Sequence, residues 1–355
     1  MAAPEPAAPA PAAVDERVAR TGPVSRLLAR PDLGALMGAI FVFVLFSITA
    51  RDVHWASDLG IWSNWGSVAA YDGIVAVPVA LLMIGGEFDL SAGVMIGSSG
   101  LLLGLLTTRA DMNIWPAMAL VIVFGMAVGF LNGYTVVRTK LPSFIITLGT
   151  FFILRGLNAG GTLKLTGTVA INGIDSAPGF ASAHRIFAST LWSPYDFSVA
   201  MLWWIGLTAV GAWVLARTRF GNWIFAVGGD PVAARSVGVP VARTKIALFM
   251  GTSTVAALWG IMTAITLRGI QANEGVGREF EFIIAAVVGG CLLTGGYGSV
   301  IGTAFGAAII GMAGQGIILS RWDSNWVYLF EGVILVLAVM LNAAIRGRAQ
   351  RWRSR

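Results

Sequence analysis

Glu87 and Asp89 are the side chains best placed to do chemistry, because they interrupt an apolar run that otherwise extends from 74 to 106. They stand in Gly85-Gly86-Glu87-Phe88-Asp89-Leu90-Ser91-Ala92-Gly93. A charge at a bilayer centre costs about 2.5–3.5 kcal/mol on insertion scales. The two carboxylates must therefore lie at an interface, line a wet cavity or be paired. Two readings stand together: a tight turn in which Asp89 caps the next helix, and the lining of a gate or cavity. A second glycine-rich stretch, Gly289-Gly290-Cys291-Leu292-Leu293-Thr294-Gly295-Gly296-Tyr297-Gly298-Ser299, begins 204 residues later (289 − 85) and hints at an internal duplication. It lacks the lysine that a phosphate-binding loop of the G-x-x-x-x-G-K-[ST] type requires, so this chain is not expected to hydrolyse ATP itself. Cys291 is the only cysteine, and His54 and His184 are the only histidines. No disulfide, metal site or nucleophile–base constellation is expected from that inventory, and no catalytic residue is assigned.

The elements that must position these residues are membrane-spanning helices. Of 355 residues, 56% are hydrophobic and only 12% charged, about half the charge of a soluble domain. The 45 glycines and 13 tryptophans suit close helix packing in lipid and anchoring at its headgroups. Stretches approaching the roughly 20 apolar residues of a span occur at 34–50, 65–84, 94–107, 114–137, 144–159, 197–216, 246–267, 282–293, 300–318 and 326–341. The expected class is an all-α integral membrane protein with about ten transmembrane helices. The third, fifth and eighth are short enough to be broken or re-entrant.

Lysine and arginine asymmetry sets the orientation. With the N-terminus inside, 16 of the 24 basic residues fall on the inner side, so both termini are expected in the cytoplasm. The net charge of +6 thus follows membrane flanks and not a nucleic-acid groove. The expected organisation is a disordered tail at 1–30, whose Ala/Pro-rich start has no signal-peptide core, a transmembrane domain at 31–345 and a basic cytoplasmic tail at 346–355. Residues 160–195 should form an external loop and 217–245 a cytoplasmic one. Within the latter, Asp230 reads as an N-cap, Pro231 as the first helical residue and Gly238 as the stop, giving a short cytoplasmic helix.

Several segments, taken in order, resemble the permease subunits of ribose/xylose-type (monosaccharide) ABC importers. Gly85 to Gly93 is similar to their GG-x-DLS-x-G signature, with one residue more before DLS. Asn132-Gly133 with Leu141-Pro142-Ser143-Phe144-Ile145-Ile146-Thr147-Leu148-Gly149-Thr150 resembles the N-G…P-x-F-I-x-T-L-G-T segment. Phe220-Gly221, Ala226-Val227-Gly228-Gly229 and Ala233-Ala234-Arg235-Ser236-Val237-Gly238-Val239 resemble the F-G…A-x-G-G-N…A-A-R-x-x-G-I loop, and 285–302 a final glycine-rich segment. The resemblance implies a multi-pass protein of the bacterial inner membrane that forms a homodimeric pore for a small sugar. It also implies two cytoplasmic ATPase subunits, which would bind the ATP and Mg while this chain binds no cofactor, and an external sugar-binding protein. Nucleic acid is not an expected partner; membrane lipid is. Asp230, Ala233, Ala234, Arg235 and Gly238 would then couple to the ATPase. Glu87, Asp89, Ser91, Ser98, Asn132 and Thr147 would line the path of a neutral polyol. Gly85, Gly86, Gly289, Gly290, Gly295 and Gly296 would be structural.

Two positions depart from that pattern. Asp72 stands where a small or apolar residue is expected, and Glu331 where a basic one is usual. Each could contact sugar, or pair with Arg155 or another basic group near the outer interface. Trp203, Trp204, Trp213, Trp259, Phe151 and Phe152 could stack on a sugar ring, with packing or interface anchoring as the alternative for each. A permease for branched-chain amino acids or nucleosides, and an ion-coupled secondary transporter using Asp72, Glu87, Asp89 and Glu331, are the competing readings.

Overall fold

A computed structural model describes residues 31–353; the expected tail at 1–30 and the last two residues of the tail at 346–355 lie outside the described residues. The described part is helical, with only two small two-stranded sheets. Helix α1 spans Pro31–Thr49, α2 Leu59–Ile84, α3 Ser91–Thr108 and α4 Ile114–Thr139. Helix α5, Ser143–Gly156, continues through a π-turn at Leu157–Gly161 into α6, Thr162–Thr166. There follow α7 (Phe180–Phe187), α8 (Ala200–Arg217), α9 (Arg219–Gly229), α10 (Pro231–Ser236) and α11 (Val241–Leu267). The last are α12 (Arg278–Val288), α13 (Val300–Leu319) and α14 (Trp326–Arg353).

Eight helical segments among the described residues are long and apolar enough to cross a membrane. They account for all the expected spans but the eighth and the tenth. The stretch expected at 282–293 is the 11-residue α12 followed by a glycine-rich loop, too short to cross. The apolar part of α14, Trp326–Met340, is also shorter than a full span, and the helix runs on through its basic residues to Arg353. The fifth span is longer than its sequence suggests, because glycines 156, 160 and 161 are carried within helix and π-turn and do not end it.

At the centre, α11 lies along α4 and α3, while α13 lies along α2 and α1. Close approach of α4 and α11 depends on Gly125, Gly129 and Gly133, spaced four apart on one face; a Cβ at Gly129 would sit 2.5 Å from the Phe249 carbonyl oxygen. This is the small-residue packing expected where lipid supplies no hydrophobic drive between helices. Strand β1 (Ala170–Asn172) pairs antiparallel with β4 (Gly269–Gln271), and their buried Ile171 and Ile270 rest on Gly104 and Gly100 of α3. A second hairpin, β2 (Thr190–Leu191) with β3 (Phe197–Ser198), leads into α8.

The suggested duplication has a local structural counterpart. At the end of α2, the amides of Gly85, Gly86 and Glu87 donate to the carbonyls of Leu81, Met83 and Leu82. At the end of α12, the amides of Gly289, Gly290 and Cys291 donate to Ala285, Val287 and Ala286. Each of these six positions is offset by 204 (for example 285 − 81). Gly86 and Gly290 both have positive φ, 82° and 94°, a conformation open to glycine at no steric cost. The same turn therefore stops two different helices.

Candidate functional site

The chain between α2 and α3 is a break in the transmembrane helices, and its polar side chains hold it. Between Glu87 and Leu90 the backbone has no regular secondary structure, which leaves amide groups without helical partners. Phe88 donates its amide to Ser143 Oγ (3.0 Å), and Leu90 donates to Thr147 Oγ1 (3.1 Å). Asp89 Oδ1 accepts from the amide (2.9 Å) and hydroxyl (2.5 Å) of Ser91, the first residue of α3, although Leu90 and not Asp89 holds the cap position. Its other oxygen accepts from Ser253 Oγ at 3.4 Å. Asn132 donates to Ser91 Oγ (3.0 Å) and accepts from Thr150 Oγ1 (2.6 Å). Glu87 forms an ion pair with Lys245 of α11.

The structure thus brings Asp89, Ser91, Asn132 and Thr147 together in one buried network around the break, with Glu87 two residues before Asp89. Ser98 is not part of it. It lies two turns further along α3, donating to the Val94 carbonyl, beside Asn158 of the π-turn. Glu87 and Asp89 are buried while Gly86 is exposed and Phe88 half-buried, and the energetic cost of the carboxylates is met by hydrogen bonds and by Lys245.

The loop at 217–245, expected on the cytoplasmic side, contains two helices. Helix α9 starts at Thr218, whose hydroxyl caps the Gly221 amide at 3.1 Å; its glycine- and aromatic-rich text gave no helical period to read. Asp230 then starts α10, accepting from the amides of Val232 (2.8 Å) and Ala233 (3.0 Å), with Pro231 at the first helical position. Gly238 ends the segment at φ 85°. Ala234 turns inward onto Val227 and Val241, while Ala233 and Arg235 face outward. Val232 and Val237 are 76% and 79% exposed, an apolar pair on a short surface helix.

This helix is mounted on a junction of glycines. Gly228 and Gly229 end α9 just before Asp230. Gly228 packs backbone to backbone against Gly86 and Gly295, and Gly229 against Gly296. The Gly296 amide donates to the Ile84 carbonyl at 2.8 Å. The end of α2, the end of α9 and the loop after α12 are therefore in direct main-chain contact, with no side chain between them to absorb a displacement. No single segment of sequence displays this three-way contact.

Asp72 is paired with a basic group other than Arg155, while Glu331 makes no hydrogen bond or ion pair among the described residues. Asp72, fully buried in α2, accepts from Nη1 of Arg278 at 3.0 Å, and not from Arg155. The same nitrogen donates to Glu281 at 2.6 Å. The available signal was the charged triplet Arg278, Glu279 and Glu281 opening an otherwise apolar α12.

Residues 61–339 match the family described as branched-chain amino acid transport system / permease component. The inner membrane ABC transporter permease protein YjfF of Escherichia coli (strain K12) is 32% identical over 81% of this chain and 83% of its own length. The fructose import permease protein FrcC of Rhizobium meliloti is 31% identical over 77% of this chain and 75% of its own. The xylose transport system permease protein XylH of Escherichia coli (strain K12) is 29% identical over 88% and 92% respectively. No solved structure matches significantly. With most of its length matched in order and its spans and breaks in place, the chain belongs to this family of transport-system permease components.

Proposed function

We propose that this chain is the transmembrane pore subunit of an ATP-binding-cassette importer that carries a monosaccharide into the cytoplasm of a bacterium, driven by separate ATPase subunits. The observation that carries the reading is the capped, outward-facing helix α10 seated on the glycine junction. Its outward face, with Val232 and Val237 exposed, is the surface it would offer to a partner. The relatives named for fructose and xylose carry the substrate class.

In this reading both termini, α10 and the Glu87–Lys245 pair are cytoplasmic, and two copies of the chain form the pore. The ATPases bind ATP and Mg and close; an external binding protein delivers the sugar. Closure favours one conformer of the permease and shifts the population toward it. Displacement of α10 passes through Gly228 to the ends of α2 and α12. The break at 86–90 lies directly against that junction. The network of Asp89, Ser91, Asn132 and Thr147, together with Glu87 and Ser98, supplies hydroxyls, an amide and carboxylates along the path once the break opens.

An amino-acid substrate would need a cation of unbalanced charge for its carboxylate, and the charge of Arg278 is already balanced by Asp72 and Glu281, which leaves its remaining N–H groups as donors to neutral hydroxyls. The test is uptake of labelled pentoses and hexoses into vesicles holding this chain with its ATPase, with the binding protein outside. Accumulation that requires ATP and the binding protein supports the importer. Accumulation that follows an ion gradient without ATP refutes it.

A further inference from the structure

Asp72 lies at the middle of α2, 13 residues from Leu59 (72 − 59) and 12 from Ile84 (84 − 72), or about 18 Å from the nearer end at 1.5 Å per residue. Its partner Arg278 is the first residue of α12, so this half-helix starts at the same depth. Glu281 completes a second ion pair with Arg278 one turn on. Glu331 of α14 is only 7% exposed and makes no hydrogen bond or ion pair among the described residues. Its helix packs against α12, which carries Arg278 and Glu281. Two carboxylates therefore share one guanidinium, and a third, on the helix packed against α12, has no bonding partner among the described residues.

The cluster is not sealed. The Arg278 side chain is 41% exposed and that of Glu281 21%. Charges half-exposed at mid-depth cannot face hydrocarbon cheaply and instead mark water-filled substrate pathways. Beside them is an aromatic face: Tyr71 stacks on Trp259 at 6.1 Å, and the Arg278 guanidinium lies 5.9 Å from the Trp259 ring. Broken helices near the bilayer midplane are where transporters build substrate sites. Carboxylate acceptors, a guanidinium donor and an aromatic plane together match the hydroxyls and the C–H face of a sugar ring.

We propose that Asp72, Arg278, Glu281 and Glu331, with the partly exposed Tyr71 ring, form the site at which the permease itself recognises its substrate, a neutral polyhydroxylated ring. The proposal rests on the importer reading above. Glu331 and Glu281 accept hydrogen bonds from substrate hydroxyls. Arg278 donates, and Asp72 is a positioning residue that fixes the guanidinium.

Two measurements on the full chain assembled with its ATPase test it. In a Cys291→Ala background, which removes the only native cysteine, Glu331→Cys is treated with a small membrane-impermeant thiol reagent. It is expected to react from the aqueous phase; lack of reaction in every nucleotide state overturns the proposal. Uptake of a monosaccharide and of its single-deoxy analogues is then compared between wild type and Glu331→Gln, with Glu281→Gln as a second variant should the first fail to assemble. Loss of one charge-assisted hydrogen bond is expected to change the preference for one hydroxyl about tenfold. Unchanged preferences in both variants overturn the proposal even if Glu331→Cys reacts. Independence of wild-type uptake from ATP would refute the importer reading instead, and the same labelling and preferences would still judge the site.

Discussion

Replacing Gly228 by alanine is the most direct mechanical test of the glycine junction. The new Cβ would lie 2.6 Å from the Gly296 amide nitrogen and closer still to the Ile84 carbonyl oxygen, where ordinary contact begins at 3.4 Å. Both obstructing atoms are main chain, so no rotamer change relieves the clash. Either α9 withdraws from the junction or the Gly296-to-Ile84 hydrogen bond at 2.8 Å opens. Overpacking of this kind costs about 1–3 kcal/mol, and the main-chain obstruction places Gly228→Ala near the upper figure. At 1.4 kcal/mol per factor of ten, that shifts a conformational equilibrium by about 100-fold. The expected result in reconstituted vesicles is ATP hydrolysis that no longer drives sugar uptake, with a lowered melting temperature of the purified chain. Gly229→Ala is the control, because nothing lies within 4 Å of a Cβ there. Wild-type melting and uptake in Gly228→Ala would refute the claim that this contact is tight and transmits motion.

Three further outcomes follow from the same geometry. Lys245→Met strands Glu87 in a buried site, which is expected to cost about 3–5 kcal/mol; the double variant Glu87→Gln with Lys245→Met should recover much of the loss in a thermal melt. Asp230→Ala removes two cap bonds from α10 and should cost about 1 kcal/mol locally, seen as faster amide exchange at Val232 and Ala233 and weaker coupled uptake, while Asp230→Ser should retain most of both. Charging the exposed face with Val232→Asp and Val237→Asp should abolish co-purification of the ATPase without lowering the melting temperature of the permease alone, since neither side chain is packed.

The spans were legible because hydropathy alone decides which segments can leave water. The break at 85–91 was legible for the converse reason, since two carboxylates cannot be passed over in an apolar run. Helix α10 was legible from Asp230-Pro231, a local cap that depends on no distant residue. What escaped the sequence depends on distance along the chain or on context. The continuation of α5 to Thr166 runs through glycines that read as a turn, because lipid-embedded helices carry glycine more readily than water-exposed ones. Helix α12 read as a short span because its apolar run continues past Val288 into a loop stabilised by the turn at Gly290 and by contact with Ile84. Pairing of Asp72 with Arg278 joins residues 206 apart, and the glycine junction joins three segments whose glycines carry no side chain to announce a partner. Of the candidate path residues, the bond from Asn132 to Ser91 and that from the Leu90 amide to Thr147 could not be foreseen, because each joins residues on different elements.

The energy source of transport separates an ATP-driven importer from an ion-coupled carrier most directly. Vesicles containing this chain and its ATPase, supplied with the binding protein outside and ATP inside, are predicted to accumulate a monosaccharide against its gradient, and to stop when ATP is withheld even with ion gradients intact. Accumulation that persists without ATP and collapses with the proton or sodium gradient would contradict the importer reading.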